Sequence, residues 1–387
     1  MLAKNIFFKN FANKKKYNAL AKDLKLFIAK NNDVLKSLGP NYKYSYTKKL
    51  ILKYIKLPII RVIGMGGSIL GTEAIYDFLS HKIVKKIYFT NNLKKDLKPT
   101  INKNGLLNLV VSKSGTTLET ITNVNLLIKK NHKNIFITEN SDSYLRKLAK
   151  NLKAEIIDHN NYIGGRYSVL SEVGMLPAEL MGLDKKKFKQ FNNLIKDKNF
   201  VNQLIQNVGS IIDLKKRGKS NSVILNYDES SNNLFKWYQQ LVAESLGKKS
   251  KGILPIIATM PKDNHSTMQL YLDGPKNFFY TFFFVMDKNT PKIDKNKIFQ
   301  SHNYLKNKNI NQIMYAQKLA TEKVFYKKKI PFRSFEVLNR SEETLGKLFC
   351  FFILETILLG RAMNINPFDQ PSVELIKIET KKFLFKN

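Results

Sequence analysis

Short apolar runs alternate along this chain with stretches whose apolar residues recur at helical spacing. Leu57 to Ile63 is one such run, ending in Gly64-Met65-Gly66-Gly67-Ser68, after which Ile69, Leu70, Ala74, Ile75, Phe78 and Leu79 mark a helix face. That is the pattern of strand, tight turn and helix. Ile87 to Thr90 reads as the next strand, and Leu106 to Val111 as another that runs into a hydroxyl-rich loop. A helix to about Ile128, a strand from Asn134 to Thr138 and a fifth strand from Ala154 to Asp158 follow. The second half repeats the theme. Strands are predicted at Ser222 to Tyr227, Gly252 to Thr259, Asn277 to Val285 and Ile330 to Leu338, with helices at Asn232 to Leu246, about Asn311 to Lys327, and Ser341 to Ala362.

Apolar strands alternating with helices imply parallel sheets covered on both faces, with ligands at the carboxyl ends of the strands. The predicted fold class is therefore α/β: two doubly wound parallel sheets, each a three-layer α/β/α unit, and a C-terminal helix from Val373 to Phe383. The boundaries expected are a helical N-terminal segment over 1–50, a first domain over 51–184, a helical connection over 185–219, a second domain over 220–364 and a tail over 365–387. Phe7, Phe8 and Phe11 in a basic N-terminal stretch predict an amphipathic helix there, since a long apolar core and a small-residue cleavage site are both missing. Leu348 to Gly360 is the most apolar segment. Glu355 interrupts it and it falls short of the ~20 residues of a membrane span, so it is expected to be a buried helix.

Composition changes this picture little. With 387 residues and 43% hydrophobic content the chain can bury real cores. Its net charge of +36 raises nucleic acid as a partner. The positive charge, however, is mostly lysine scattered along the chain, and Lys, Asn, Ile, Phe and Tyr are enriched together, the mark of A+T-rich codons. Nucleic acid is set aside on that ground, leaving a field that attracts anionic substrates. Cys350 stands alone among apolar neighbours, so no intrachain disulfide can form and a packed thiol in a cytoplasmic protein is expected.

Candidate chemistry concentrates at the turns. Ser112-Lys113-Ser114-Gly115-Thr116-Thr117 crowds hydroxyls between a buried strand and the start of a helix, where unpaired N–H groups and the macrodipole favour an anion. The reading is a phosphate cradle; the alternative is a simple Ser/Thr helix cap with Glu119 in the first turn. The Gly64 turn lacks the third glycine of a dinucleotide fingerprint, because Ile69 occupies that place, so no nucleotide cofactor is expected.

On the helix through Leu234, Trp237 and Leu241, Glu244 continues the apolar stripe with Gln240 one turn earlier. A carboxylate there is out of place unless it serves as a general base, or pairs with Lys248 across a turn. Arg166, beside Gly164 and Gly165, could stabilise an oxyanion or cap a carbonyl. His265 is the one histidine on a strand-to-helix turn, Asp263-Asn264-His265-Ser266-Thr267, and is open to a catalytic or a structural role. No His/Cys spacing suggests a metal.

Taken in order, six blocks resemble the phosphoglucose isomerase family, which is built from two sugar-isomerase (SIS) domains. They are Gly64 to Ser68, Ser112 to Thr117, Gly164 to Ser168, Gln239 to Ser245, Asp263 to Ser266, and Asn366-Pro367-Phe368-Asp369-Gln370-Pro371-Ser372-Val373-Glu374. The resemblance runs from about Ile60 to Lys377. It implies a cofactor-free interconversion of D-glucose 6-phosphate and D-fructose 6-phosphate, the isomerase step of glycolysis and gluconeogenesis. By the family pattern, Gly67 and Ser68 touch the sugar, and Ser112, Lys113, Ser114, Thr116 and Thr117 hold the phosphate. His265 and Lys377 open the ring, Glu244 moves a proton between C2 and C1 through a cis-enediol, Arg166 stabilises the enediolate and Gln240 positions the chain. The family also implies a homodimer with His265 donated across the interface. Departures are the short chain and Asn264 and Ser372, where Gln and Gly are common. A noncatalytic sugar-phosphate sensor and an isomerase acting also on mannose 6-phosphate stand as alternatives.

Overall fold

The structure, a computed structural model, describes residues 1–13, 15–30, 32–95, 105–287 and 289–386. Among the described residues ten strands form two five-stranded sheets: β1 (Ile6–Lys9), β2 (Ile59–Ile63), β3 (Lys86–Thr90), β4 (Leu106–Val111), β5 (Lys133–Thr138), β6 (Glu155–Asp158), β7 (Asn221–Asn226), β8 (Leu254–Thr259), β9 (Phe278–Val285) and β10 (Phe332–Val337). The first sheet has the order β3-β2-β4-β5-β6 and is parallel throughout. Its two faces belong to different cores, as alternation along a strand requires: Val62 and Leu109 pack one way, and Ile63 and Val110 pack the other, against Val124 and Leu127. Both faces are thus covered by helices, and the strand order reverses between β2 and β4. The Gly64 turn and the Ser112 loop leave the sheet at that reversal, where doubly wound folds bind ligands.

The second sheet, β1-β10-β9-β7-β8, reverses between β7 and β9. It departs from expectation at one edge. Ile6–Lys9 is a strand antiparallel to β10, with Ile6 opposite Val337 and Phe8 opposite Phe335, and not part of an amphipathic helix. The cause is a period of two: Ile6 is buried, Phe7 points to solvent, and Phe8 turns back onto the sheet with its ring centroid 4.4 Å from that of Phe335. Helices do follow within the same segment, at Asn18–Ala29 and Lys48–Tyr54, while Phe191–Lys196 and Lys198–Lys216 join the two sheets.

The apolar segment Leu348 to Gly360 lies inside the buried helix Glu342–Ala362. Glu355 is tolerated there because Arg333 and Asn207 bond one of its oxygens and the Tyr238 hydroxyl donates to the other at 2.9 Å. A buried charge needs such partners. Cys350 on this helix is fully buried, and burial pushes its thiol up to about 12, so it packs without reacting. Among the described residues no helix is long and apolar enough to cross a membrane.

Candidate functional site

Three turns meet where the two sheets face each other. The first is the tight helical turn Gly66–Ser68 after β2. Gly66 has φ +53°, which favours glycine, and Gly67 lies so close to the Gly165–Arg166 backbone that a Cβ would come within 2.2 Å of the Gly165 carbonyl carbon. Here glycine is what brings the Gly66–Ser68 turn against the arginine turn, Gly165–Leu170. The third turn is the hydroxyl loop. Ser112 and Thr117 share a hydrogen bond at 3.0 Å between their hydroxyls, and Thr116 bonds Ser114 at 3.0 Å. Thr117 occupies the N-cap position of the helix Leu118–Leu127 but makes no side-chain cap bond. The Thr117 side chain therefore does not cap the helix, and its first N–H groups have no side-chain acceptor from this residue. Lys113 turns outward, donating to the Asn161 carbonyl at 2.7 Å and facing Glu139 at 3.4 Å.

The helix Asn232–Leu246 delivers the acid. It packs along the helix Leu70–Phe78 of the first half, and Leu234, Trp237 and Leu241 are buried, as the stripe predicts. Glu244, whose side chain is 19% exposed, accepts from Arg166 Nη1 at 3.0 Å through Oε1 and from Gln240 Nε2 at 2.8 Å through Oε2. The pairing with Lys248 is not made; that ammonium bonds Asp369 and the Asn366 carbonyl.

Arg166 is the most constrained side chain of the site. Its side chain is 1% exposed and all five N–H donors are engaged: Nε to Ser245 Oγ at 2.8 Å, Nη1 to Glu244 and to Gln370 Oε1 at 2.9 Å, and Nη2 to the carbonyls of Pro367 at 2.7 Å and Asp369 at 3.0 Å. Tyr167 braces this arrangement by bonding Ser245 Oγ at 2.9 Å and the Pro367 carbonyl at 3.0 Å, and Trp237 Nε1 holds the Arg166 carbonyl at 3.1 Å. Ser245, Tyr167, Gln370 and the Pro367 carbonyl escaped assignment from sequence. The signal for the first three was their membership of the quoted blocks; a backbone carbonyl leaves none.

Gln240 connects the acid and the glycine turn after β2. Its Nε2 lies 2.9 Å from where a Gly66 Cβ would stand, and a Gly64 Cβ would lie 2.9 Å from the Val111 carbonyl, next to Ser112. Arg166, Glu244, Gln240, Gly67, Ser68 and the hydroxyl loop thus form one contiguous patch. His265 and Lys377 stay apart from it within the chain. His265 ends the turn Lys262–His265 after β8, exposed, and its ring makes no hydrogen bond among the described residues. Lys377 lies on the exposed helix Val373–Lys386 and pairs with Glu374 at 3.0 Å.

A second buried carboxyl sits one turn beyond Ser68. Glu73 is 4% exposed, bonded by Asn91 at 2.6 Å through one oxygen and unpartnered at the other. Burial raises it from the ordinary 4.5 to about 6. A carboxyl raised on folding gives its stability at low pH, fully below 4.5, and loses it as pH rises through about 6. Glu73→Gln is accordingly expected to stabilise the fold at pH 7 to 8 by about 1–2 kcal/mol, with no gain below pH 4.5. Urea midpoints at both pH values check this, and an equal effect at both would contradict it.

Two doubly wound sheets whose covering helices pack together beside an acid–guanidinium pair and a hydroxyl-rich loop define the class, that of the SIS-type phosphosugar isomerase folds. Among solved structures, a hypothetical protein from Thermus thermophilus aligns with a TM-score of 0.84 at 23% identity, covering 95% of both chains. A glucose-6-phosphate isomerase from Chlamydia trachomatis aligns at 0.71 with 19% identity, covering 96% of this chain and 76% of its own. These two speak for the fold. In sequence, the glucose-6-phosphate isomerase of Methanocaldococcus jannaschii is 33% identical over 347 residues, 84% of this chain and 83% of that protein. The one from Mycoplasmopsis pulmonis is 32% identical over 364 residues, 85% and 83% of the respective chains. The phosphoglucose isomerase family model matches residues 45–385, and the chain belongs to that family.

Proposed function

We propose that the chain interconverts D-glucose 6-phosphate and D-fructose 6-phosphate through ring opening and a cis-enediol. The observation that carries this reading is the Glu244 carboxylate held 3.0 Å from a buried arginine, on the same patch as a hydroxyl-rich loop that opens a helix without a side-chain cap. Phosphate bound by Ser112, Ser114, Thr116 and Thr117 orients the carbons at the other end of the sugar, so remote binding energy is used for positioning. Gly67 and Ser68 line the path between the two. Lys113 belongs to the same loop, but its ammonium is tied to Asn161 and Glu139, so the hydroxyls rather than this side chain carry the phosphate contact.

Glu244 takes the proton from C2 of the open aldose. The C–H electron pair becomes the C1–C2 double bond and negative charge moves to O1. At that moment Glu244 is neutral, its claim on Arg166 Nη1 weakens, and the donor becomes available to the new oxyanion. The permanent cation therefore faces one negative charge throughout, first the carboxylate and then the enediolate. The C2 hydroxyl proton then passes to O1, and as C2–O⁻ closes to the ketone the C1–C2 π pair takes the proton back from Glu244 at C1, leaving a neutral C1 hydroxyl and the carboxylate. Gln240 holds the second carboxylate oxygen and so fixes the plane of the base.

His265 and Lys377 open the ring by moving a proton between ring oxygen and C1 hydroxyl. His265 does this for a second copy of the chain, which accounts for its exposure here, so the working form is a homodimer; a monomer of full activity in sedimentation would remove this part. The lone packed Cys350 is in keeping with a cytoplasmic enzyme. The direct test is a coupled assay with fructose 6-phosphate and, separately, mannose 6-phosphate: turnover of the first is expected, and none with either would overturn the reading. The double variant Ser112→Ala, Thr117→Ala should raise KM for fructose 6-phosphate by about 10–100-fold, equivalent to one or two lost charge-assisted hydrogen bonds, with kcat changed far less. An unaltered KM would remove the cradle.

A further inference from the structure

A cavity of about 790 Å³ lies on the far side of the loop that holds Arg166. The helices Asn18–Ala29 and Lys198–Lys216 form its walls, and the chain from Arg361 to Phe368 forms its floor. Leu20, Ile212, Pro367 and Phe368 give it an apolar interior. At the rim, Lys15 is paired with Asp213 at 2.9 Å and Arg361 is paired with Asp23, while Lys216 meets no carboxylate among the described residues. The cavity thus carries one uncompensated positive charge, set in the field of a strongly basic chain.

The floor is coupled to the site described above. Pro367 supplies the carbonyl that Arg166 Nη2 and the Tyr167 hydroxyl both bond, and the Phe368 ring packs 5.6 Å from Tyr167 and 6.5 Å from Phe27. The next two residues, Asp369 and Gln370, provide two more of the five acceptors around the guanidinium. A body pressed against Pro367 and Phe368 from the cavity bears on three of the five contacts that aim Arg166.

We propose that this cavity is an effector site for a small organic anion with an apolar body, and that its occupancy alters turnover through the Pro367–Gln370 loop. The apolar walls take the body and Lys216 takes the charge. The effect on turnover rests on the role given to Arg166; the binding does not.

Anilinonaphthalene sulfonate, two ring systems with a single sulfonate, is the probe. With the full-length chain, one equivalent is expected to bind saturably and to change kcat for fructose 6-phosphate by at least about twofold at constant KM, the sign of an effector acting on the transition state. Ile212→Glu, which puts a carboxylate into the cavity wall, should weaken the probe by about tenfold or more while leaving kcat and KM without probe unchanged. Lys216→Glu, on the solvent face, should weaken it by about threefold and flatten its salt dependence. Competitive displacement by fructose 6-phosphate, wild-type affinity in either variant, or saturation with no change in kcat would each overturn the proposal. Failure of the role of Arg166 would appear instead as unaltered turnover in Arg166→Lys, with probe affinity still lost in the two cavity variants.

Discussion

Glu244→Gln is expected to lower kcat by about three orders of magnitude, inside the 10²–10⁴ range of a positioned general base, and to abolish exchange of the C2 proton with solvent. KM for fructose 6-phosphate should stay within about tenfold, because the phosphate contacts are untouched. The substitution should also fold. Glu244 accepts one bond through each oxygen, and an amide can keep only one acceptor oxygen. The resulting clash with Gln240 Nε2 is relieved if the Gln240 amide turns over, for its own Oε1 is buried and without a partner. A folded Glu244→Gln protein that still exchanges C2 hydrogen in deuterium oxide would assign the base elsewhere.

Arg166→Lys should cost nearly as much, for a different reason. A lysine ammonium presents three donors from a single point, whereas the guanidinium serves Ser245, Glu244, Gln370, Pro367 and Asp369 from a planar fork. At least two buried acceptors lose their donor, so stability should fall by about 3 kcal/mol. In the protein that remains folded, kcat should drop by about 10²–10³-fold, the range for removing one preorganised donor at an oxyanion. Circular dichroism and urea midpoints separate the two losses. Normal turnover in a destabilised variant would make Arg166 a structural brace only.

How much of this was legible in the sequence differs by element. The parallel strands were, because each is a short apolar run bounded by turn residues, and the match at β4 is residue for residue. The buried stripe through Leu234, Trp237 and Leu241 also pointed to Glu244, which lies half-buried at its end. Ile6–Lys9 was not legible: four residues are too few to separate a period of two from a helix turn, and the partner strand lies near the other end of the chain. The surroundings of Arg166 were half hidden, since two of its acceptors are backbone carbonyls whose position depends on how the Pro367 loop folds back across the molecule. Lys377 was named from the family pattern alone and His265 from its strand-to-helix turn as well, and nothing in their local spacing foretold that both would stand exposed.

The edge strand Ile6–Lys9 has a consequence for biogenesis. During translation it leaves the ribosome hundreds of residues ahead of the strand it must join, Phe332–Val337, which is made after both the intervening sheet and most of its own. Until then an aromatic segment waits unpaired, and the nascent second sheet presents a bare rim to other chains. Removing the first ten residues would make that temporary exposure permanent, leaving an open β10 along which neighbouring molecules could associate.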